Sequence, residues 1–90
     1  MPKTYIKDPD AVLDYEFDWS LWLSAGETIT AKTVTVSDGI TLDSSPNDDT
    51  SVVAWVSGGT AGGNETVACR ITTSALRTDE RTINLTIRQR

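Results

Sequence analysis

From Leu13 to Trp19 the chain alternates apolar and acidic side chains without a break. Leu13, Tyr15, Phe17 and Trp19 interleave with Asp14, Glu16 and Asp18. A period of two places one set on each face of an extended strand, apolar toward a core and acids toward water. At helical spacing the same aromatics would scatter around the cylinder. Two further stretches repeat the pattern. Val67, Cys69 and Ile71 alternate with Thr66, Ala68 and Arg70, and Ile83, Leu85 and Ile87 with Thr82, Asn84, Thr86 and Arg88.

Weaker strands lie between these. Ile29 and Ala31 share one parity, and Val34 and Val36 the other. A slip of one residue would flip every side chain to the opposite face, so a β-bulge near Lys32 is expected. Ile40 and Leu42 form a short strand after the Asp38-Gly39 turn signal. Ser51 to Val56 is a nearly continuous apolar run suited to a central strand. Tyr5 and Ile6 form a short first strand that Asp8-Pro9 ends. Breakers separate the runs: a polar loop from Ser44 to Asp49, a glycine-rich turn from Gly58 to Asn64 and a charged hairpin connection from Ser74 to Arg81. No apolar stretch holds a 3.6-residue period beyond two turns. About seven strands at this spacing predict an all-β fold, a single immunoglobulin-like antiparallel β-sandwich over residues 11–90. Residues 1–10 are expected to be an N-terminal arm, kept out of regular structure by Pro2 and Pro9.

Composition narrows the function. A chain of 90 residues has room for one small domain. The net charge of −5 argues against nucleic acid and against an anionic membrane surface, both of which call for a basic patch. Cys69 is the only cysteine, so no internal disulfide forms. On a strand it shares a face with Val67 and Ile71, as a buried, inert thiol would. An unstapled fold suits a reducing cytoplasm better than secretion. The N-terminus shows no apolar run of a signal peptide or membrane span.

Catalysis has little to stand on. The chain has no histidine, which removes every Ser-His-Asp and Cys-His arrangement. Asp14, Glu16 and Asp18 share a strand face that could hold Ca²⁺ but reads as a solvated outer face. The glycine-rich turn lacks the lysine of a phosphate loop and leads into no helix. No catalytic residue, cofactor site or metal site is expected. Binding is the remaining reading. In Trp19-Ser20-Leu21-Trp22-Leu23 the alternation fails: either the chain turns a corner and buries these residues, or some, Trp22 above all, face outward as a docking patch. The Ser74–Arg81 connection, with Arg77, Asp79 and Arg81, is either a docking loop or a solvated hairpin.

Several segments carry a resemblance. They are Tyr5-Ile6-Lys7-Asp8-Pro9-Asp10-Ala11-Val12-Leu13-Asp14-Tyr15, Asp18-Trp19-Ser20-Leu21-Trp22-Leu23, Val56-Ser57-Gly58-Gly59-Thr60-Ala61-Gly62 leading into Arg70-Ile71-Thr72-Thr73, and Arg77-Thr78-Asp79-Glu80-Arg81. Together they resemble small virion proteins of tailed bacteriophages of the fibre–tail adaptor type. The Gly-Gly-Thr-Ala-Gly turn is also similar to bacterial immunoglobulin-like repeats. In the phage family a glycine commonly precedes the arginine matched by Arg77, whereas here that place is Leu76. The resemblance implies a virion structural protein made in the host bacterial cytoplasm, with no catalytic residues. Its partners would be other virion proteins of tail, neck, fibre or capsid. It would be present in multiple copies or as a homo-oligomer on a symmetric particle. A capsid decoration protein is the alternative, and a carbohydrate- or host-binding module using Trp22 or Trp55 a second one. Tyr5, Ile6, Trp22, Arg77, Asp79 and Arg81 are the expected docking residues.

Overall fold

In a computed structural model that describes residues 3–89, the alternating runs become seven strands in two sheets. They are β1 (Lys3–Lys7), β2 (Leu13–Asp18), β3 (Ile29–Val36), β4 (Ile40–Ser44), β5 (Ser51–Gly58), β6 (Asn64–Thr73) and β7 (Thr78–Ile87). One sheet has the order β1-β7-β6-β3 and the other β2-β5-β4. All pairs are antiparallel except β1 on β7. Lettered A to G in chain order, the sheets read BED and CFG plus A. A constant-type immunoglobulin sandwich carries the same sets, with strand A in the other sheet.

The inward parity of each strand builds one core. Tyr15 and Phe17 of β2 and Val52, Ala54 and Val56 of β5 face Val67, Cys69 and Ile71 of β6 and Ile83, Leu85 and Ile87 of β7. Trp19, just past β2, is the largest fully buried side chain. The Tyr15 hydroxyl is buried without a hydrogen-bond partner among the described residues, and burial raises its pKa. The glycine-rich turn is where only glycine fits: Gly59 has φ +112°, and an added Cβ would meet the Ile87 side chain at 2.9 Å.

Three expectations need correction. Tyr5 and Ile6 lie on the expected first strand, but that strand, Lys3–Lys7, is no part of an irregular arm: it pairs with Ile83–Ile87 at a sheet edge, and Asp8 then turns the chain by accepting from Asp10 N and Ala11 N. Met1 and Pro2, the rest of that arm, lie outside the described residues. Lys7 is drawn in because its Nζ donates to the carbonyls of Asp8 and Gly58, and burial lowers its pKa. The bulge of β3 falls between Ile29 and Ala31 rather than near Lys32. Ile29 N is held by Asp49 O, which fixes Ile29 inward, so the extra residue has to follow at once and Ala31 turns to solvent. Lastly, half of the expected Ser74–Arg81 connection is strand. Thr78 to Arg81 pair with Thr72 to Cys69, and Arg70 opposite Glu80 matches charge across the ladder.

Cys69 is fully buried, and burial pushes its thiol up to about 11. The thiolate is the reactive form. At pH 8 the native protein is therefore expected to leave a disulfide-exchange reagent such as DTNB unconsumed, with one thiol appearing on denaturation. Rapid labelling of the folded chain would show that the β6 core opens.

Candidate docking site

Past Asp18 the chain leaves the β2 ladder and folds into a tight turn. Trp22 N and Leu23 N both donate to Trp19 O, at 2.8 and 3.0 Å, and Ser20 N is capped by Asp18 Oδ1. This turn lays Trp19 across the end of the sandwich. Its Nε1 donates to Asp79 Oδ2 at 2.8 Å. The Arg81 guanidinium lies 4.7 Å over the same ring and donates to Asp18 O. Asp79 and Arg81 sit on the inward parity of β7, where apolar residues would be expected. The indole explains both: its N–H needs an acceptor when buried, and its face attracts a cation.

Beside this pair lies a second one. Glu27 is pulled inward by a reciprocal turn in which Glu27 N donates to Ser24 O and Ser24 N donates to Glu27 Oε1. Its carboxylate also accepts from Thr73 Oγ1 and from two nitrogens of Arg77. Those donors, Arg77 first, hold the Glu27 pKa down to about 2. The same guanidinium stacks 3.9 Å over the Trp22 ring and donates to Trp22 O at 3.3 Å. One arginine thus fastens the 18–27 connection to the β6–β7 hairpin.

That hairpin turns through Ser74, Ala75 and Leu76. Thr73 Oγ1 accepts from Ala75 N and Arg77 N, and Leu76 N donates to Thr73 O. A three-residue hairpin loop needs its last residue in the left-handed region, a place glycine takes at least cost. Leu76 has φ +62°, the only positive φ at a described non-glycine residue. Its side chain is 88% exposed and repays none of that strain through packing. Leu21 in the neighbouring turn is 102% exposed. The two leucines project from the two connections that Arg77 ties together.

Of the six expected docking residues, Trp22, Arg77, Asp79 and Arg81 converge at this end of the sandwich. Each is engaged within the chain, so they shape the surface more than they form it. Trp22 is half-buried against the core with one ring face taken by Arg77. Tyr5 and Ile6 lie on β1 opposite Leu85 and Thr86, some six residues or about 20 Å along β7 from Asp79. The Tyr5 ring packs against Tyr15, 5.1 Å between centroids. Sequence reasoning missed Leu21 and Leu76 as the projecting groups. A signal existed for Leu76, a large apolar residue in a short polar hairpin connection. Among the described residues no group of three or more His, Cys, Asp or Glu could hold a metal ion, and no helix is long and apolar enough to cross a membrane.

The depressed Glu27 pKa has a definite sign. A carboxylate whose folded pKa lies below its ordinary 4.5 stabilises the fold fully above that value, and the contribution disappears as pH falls toward 2. The thermal midpoint is expected to drop between pH 5 and pH 2. A Glu27→Gln variant should start lower and show a flatter slope across that range. Parallel slopes for the two proteins would remove Glu27 from the clasp.

A family model described as podophage GP4 fiber-tail adaptor protein gp77 matches residues 7–86. No curated protein matches the chain. The match runs from the last residue of β1 to the penultimate residue of β7 and takes in both halves of the Trp–Arg clasp. The chain belongs to this family of podophage fibre–tail adaptor proteins.

Proposed function

We propose that the chain joins tail and fibre by docking the clasped end of its sandwich into a neighbouring virion protein, with Leu21 and Leu76 as the inserted side chains. The observation that carries this reading is Leu76 itself. Holding a leucine at φ +62° costs about 1–2 kcal/mol relative to glycine. The side chain recovers nothing inside the fold. A residue that is costly in the monomer and exposed in it gains only by being covered elsewhere. The Arg77 clasp prepares both leucines in advance, which lowers the ordering cost of binding.

Other features agree with a structural role. The charged groups at this end are bonded to one another and to backbone, and none is poised for proton transfer. A small sandwich is marginal alone, and neighbours that cover its ends add stability by mass action. Copies arrayed on a symmetric particle turn modest contacts into high avidity. Tyr5 and Ile6, at the far end, are the second proposed contact. Both are partly exposed, at 37% and 44%.

Leu76→Gly separates folding from docking. Relief of the left-handed strain, less the backbone entropy glycine adds, predicts a gain of up to about 1 kcal/mol in unfolding free energy. Loss of an apolar anchor predicts a fall of about tenfold in incorporation into particles, read by quantitative mass spectrometry of purified virions. A more stable protein that incorporates normally would refute the docking role of Leu76.

A further inference from the structure

Two sheet edges, β1 and β2, run without a register shift, and of these β2 is the acidic one. β2 is bonded only to β5, because β1 pairs with β7 in the other sheet. The β2–β5 register runs unbroken from Leu13↔Val56 to Asp18↔Ser51, whereas the edge strands β3 and β4 both carry register shifts. Trp19 N donates to Thr50 O on the β5 side. By the alternation of an antiparallel ladder, the backbones of Leu13, Tyr15 and Phe17 turn toward β5, and those of Asp14 and Glu16 turn to the edge. Asp18 O is taken by Arg81. Among the described residues nothing pairs with the N–H and C=O of Asp14 and Glu16.

The charge along that edge is one-sided. Asp14, Glu16 and Asp18 are exposed and make no ion pair among the described residues. β2, β4 and β5 contain no lysine or arginine. Acids at alternate positions of an open edge repel an ordinary apolar strand. The same spacing selects a strand with cations at alternate positions, since residues directly opposite share a face.

We infer that the β2 edge receives an extended segment of a partner protein as a further strand, with lysine or arginine opposite Asp14, Glu16 and Asp18. Backbone bonds to Asp14 and Glu16 supply the affinity and the three acids the selectivity. The partner is a different protein, because this chain's own described cations are engaged: Lys7 is buried, Lys32 is bonded to Ser45, Arg77 and Arg81 sit in the clasp and Arg70 faces Glu80. Only Arg88 is left. The inference takes from the adaptor reading no more than that the partner is a protein, and it is read at Asp14 and Glu16, not at Leu76.

The test uses isotope-labelled protein and a synthetic end-blocked peptide, Thr-Lys-Val-Lys-Val-Lys-Thr, with the glutamate-for-lysine peptide as its counterpart. Amide exchange followed by NMR is expected to slow by about tenfold or more at Asp14 and Glu16 with the lysine peptide, and not with the glutamate peptide. Glu16→Lys leaves the core and backbone intact and should weaken the lysine peptide by about tenfold. Glu16→Pro removes the outward N–H alone at an edge position that tolerates proline and should also weaken binding. Binding without slowed exchange at Asp14 and Glu16 would mean adsorption by charge and overturn the inference, as would no binding. Protection at those amides in the peptide-free protein, rising with its concentration, would make a second copy the occupant and overturn it too. Particle incorporation is not read here, so this result stands apart from that of Leu76→Gly.

Discussion

The Arg77 guanidinium holds the clasped end of the sandwich together. It bonds the Glu27 carboxylate through two nitrogens, reaches Trp22 O and covers the Trp22 ring. Each contact joins segments about fifty residues apart in sequence, so one side chain replaces a covalent staple that a single cysteine cannot make. Arg was needed here: a lysine ammonium has neither the forked donors nor the flat face that stacks on indole. The adjacent Trp19–Asp79–Arg81 group repeats the device with less burial of charge. Two tryptophans and two arginines thereby cap a sandwich whose inner parity would otherwise open to water.

The cap sets the backbone of both connections. Once Glu27 and Thr73 are fixed, the Ser74–Leu76 loop closes in a conformation that glycine would take more readily than leucine. Strain at Leu76 is thus a local consequence of the clasp, and the exposed side chain is its product. On the proposed reading, a preformed apolar prong suits docking better than a mobile loop, because less conformational freedom is lost on binding. The acidic β2 edge lies on the other sheet's flank, which gives the chain two surfaces of different chemistry. An adaptor has to face two ways.

Period-two patterning made the strands legible because it depends on neighbours in sequence. Leu13 to Trp19, Val67 to Ile71 and Ile83 to Ile87 all place their apolar set inward as read. What depends on distant partners was not legible. Nothing local says that β1 lies parallel on β7, or that Ile29 is pinned by Asp49 and so sets the bulge at once. Asp79 and Arg81 looked like loop charges, because their inward parity makes sense only with the Trp19 indole across from them. Arg77, Trp22, Asp79 and Arg81 were found as a group of interest from sequence, but as contacts with a partner. The structure gives each of them a partner within the chain, and the side chains left over are Leu21 and Leu76. Leu76 is visible in sequence as an apolar residue in a polar connection, and only its φ of +62° gives that a physical meaning.

On the proposed reading, the clasped end of the sandwich is the contact with the rest of the virion. A cryo-electron-microscopy reconstruction of the native particle, at a resolution that shows side chains, tests it most directly. The account predicts this chain at the junction of tail and fibre, with Leu21 and Leu76 buried in a neighbouring protein and Arg77 still bonded to Glu27. Density that leaves both leucines facing solvent, with the neighbour seated elsewhere, would contradict it.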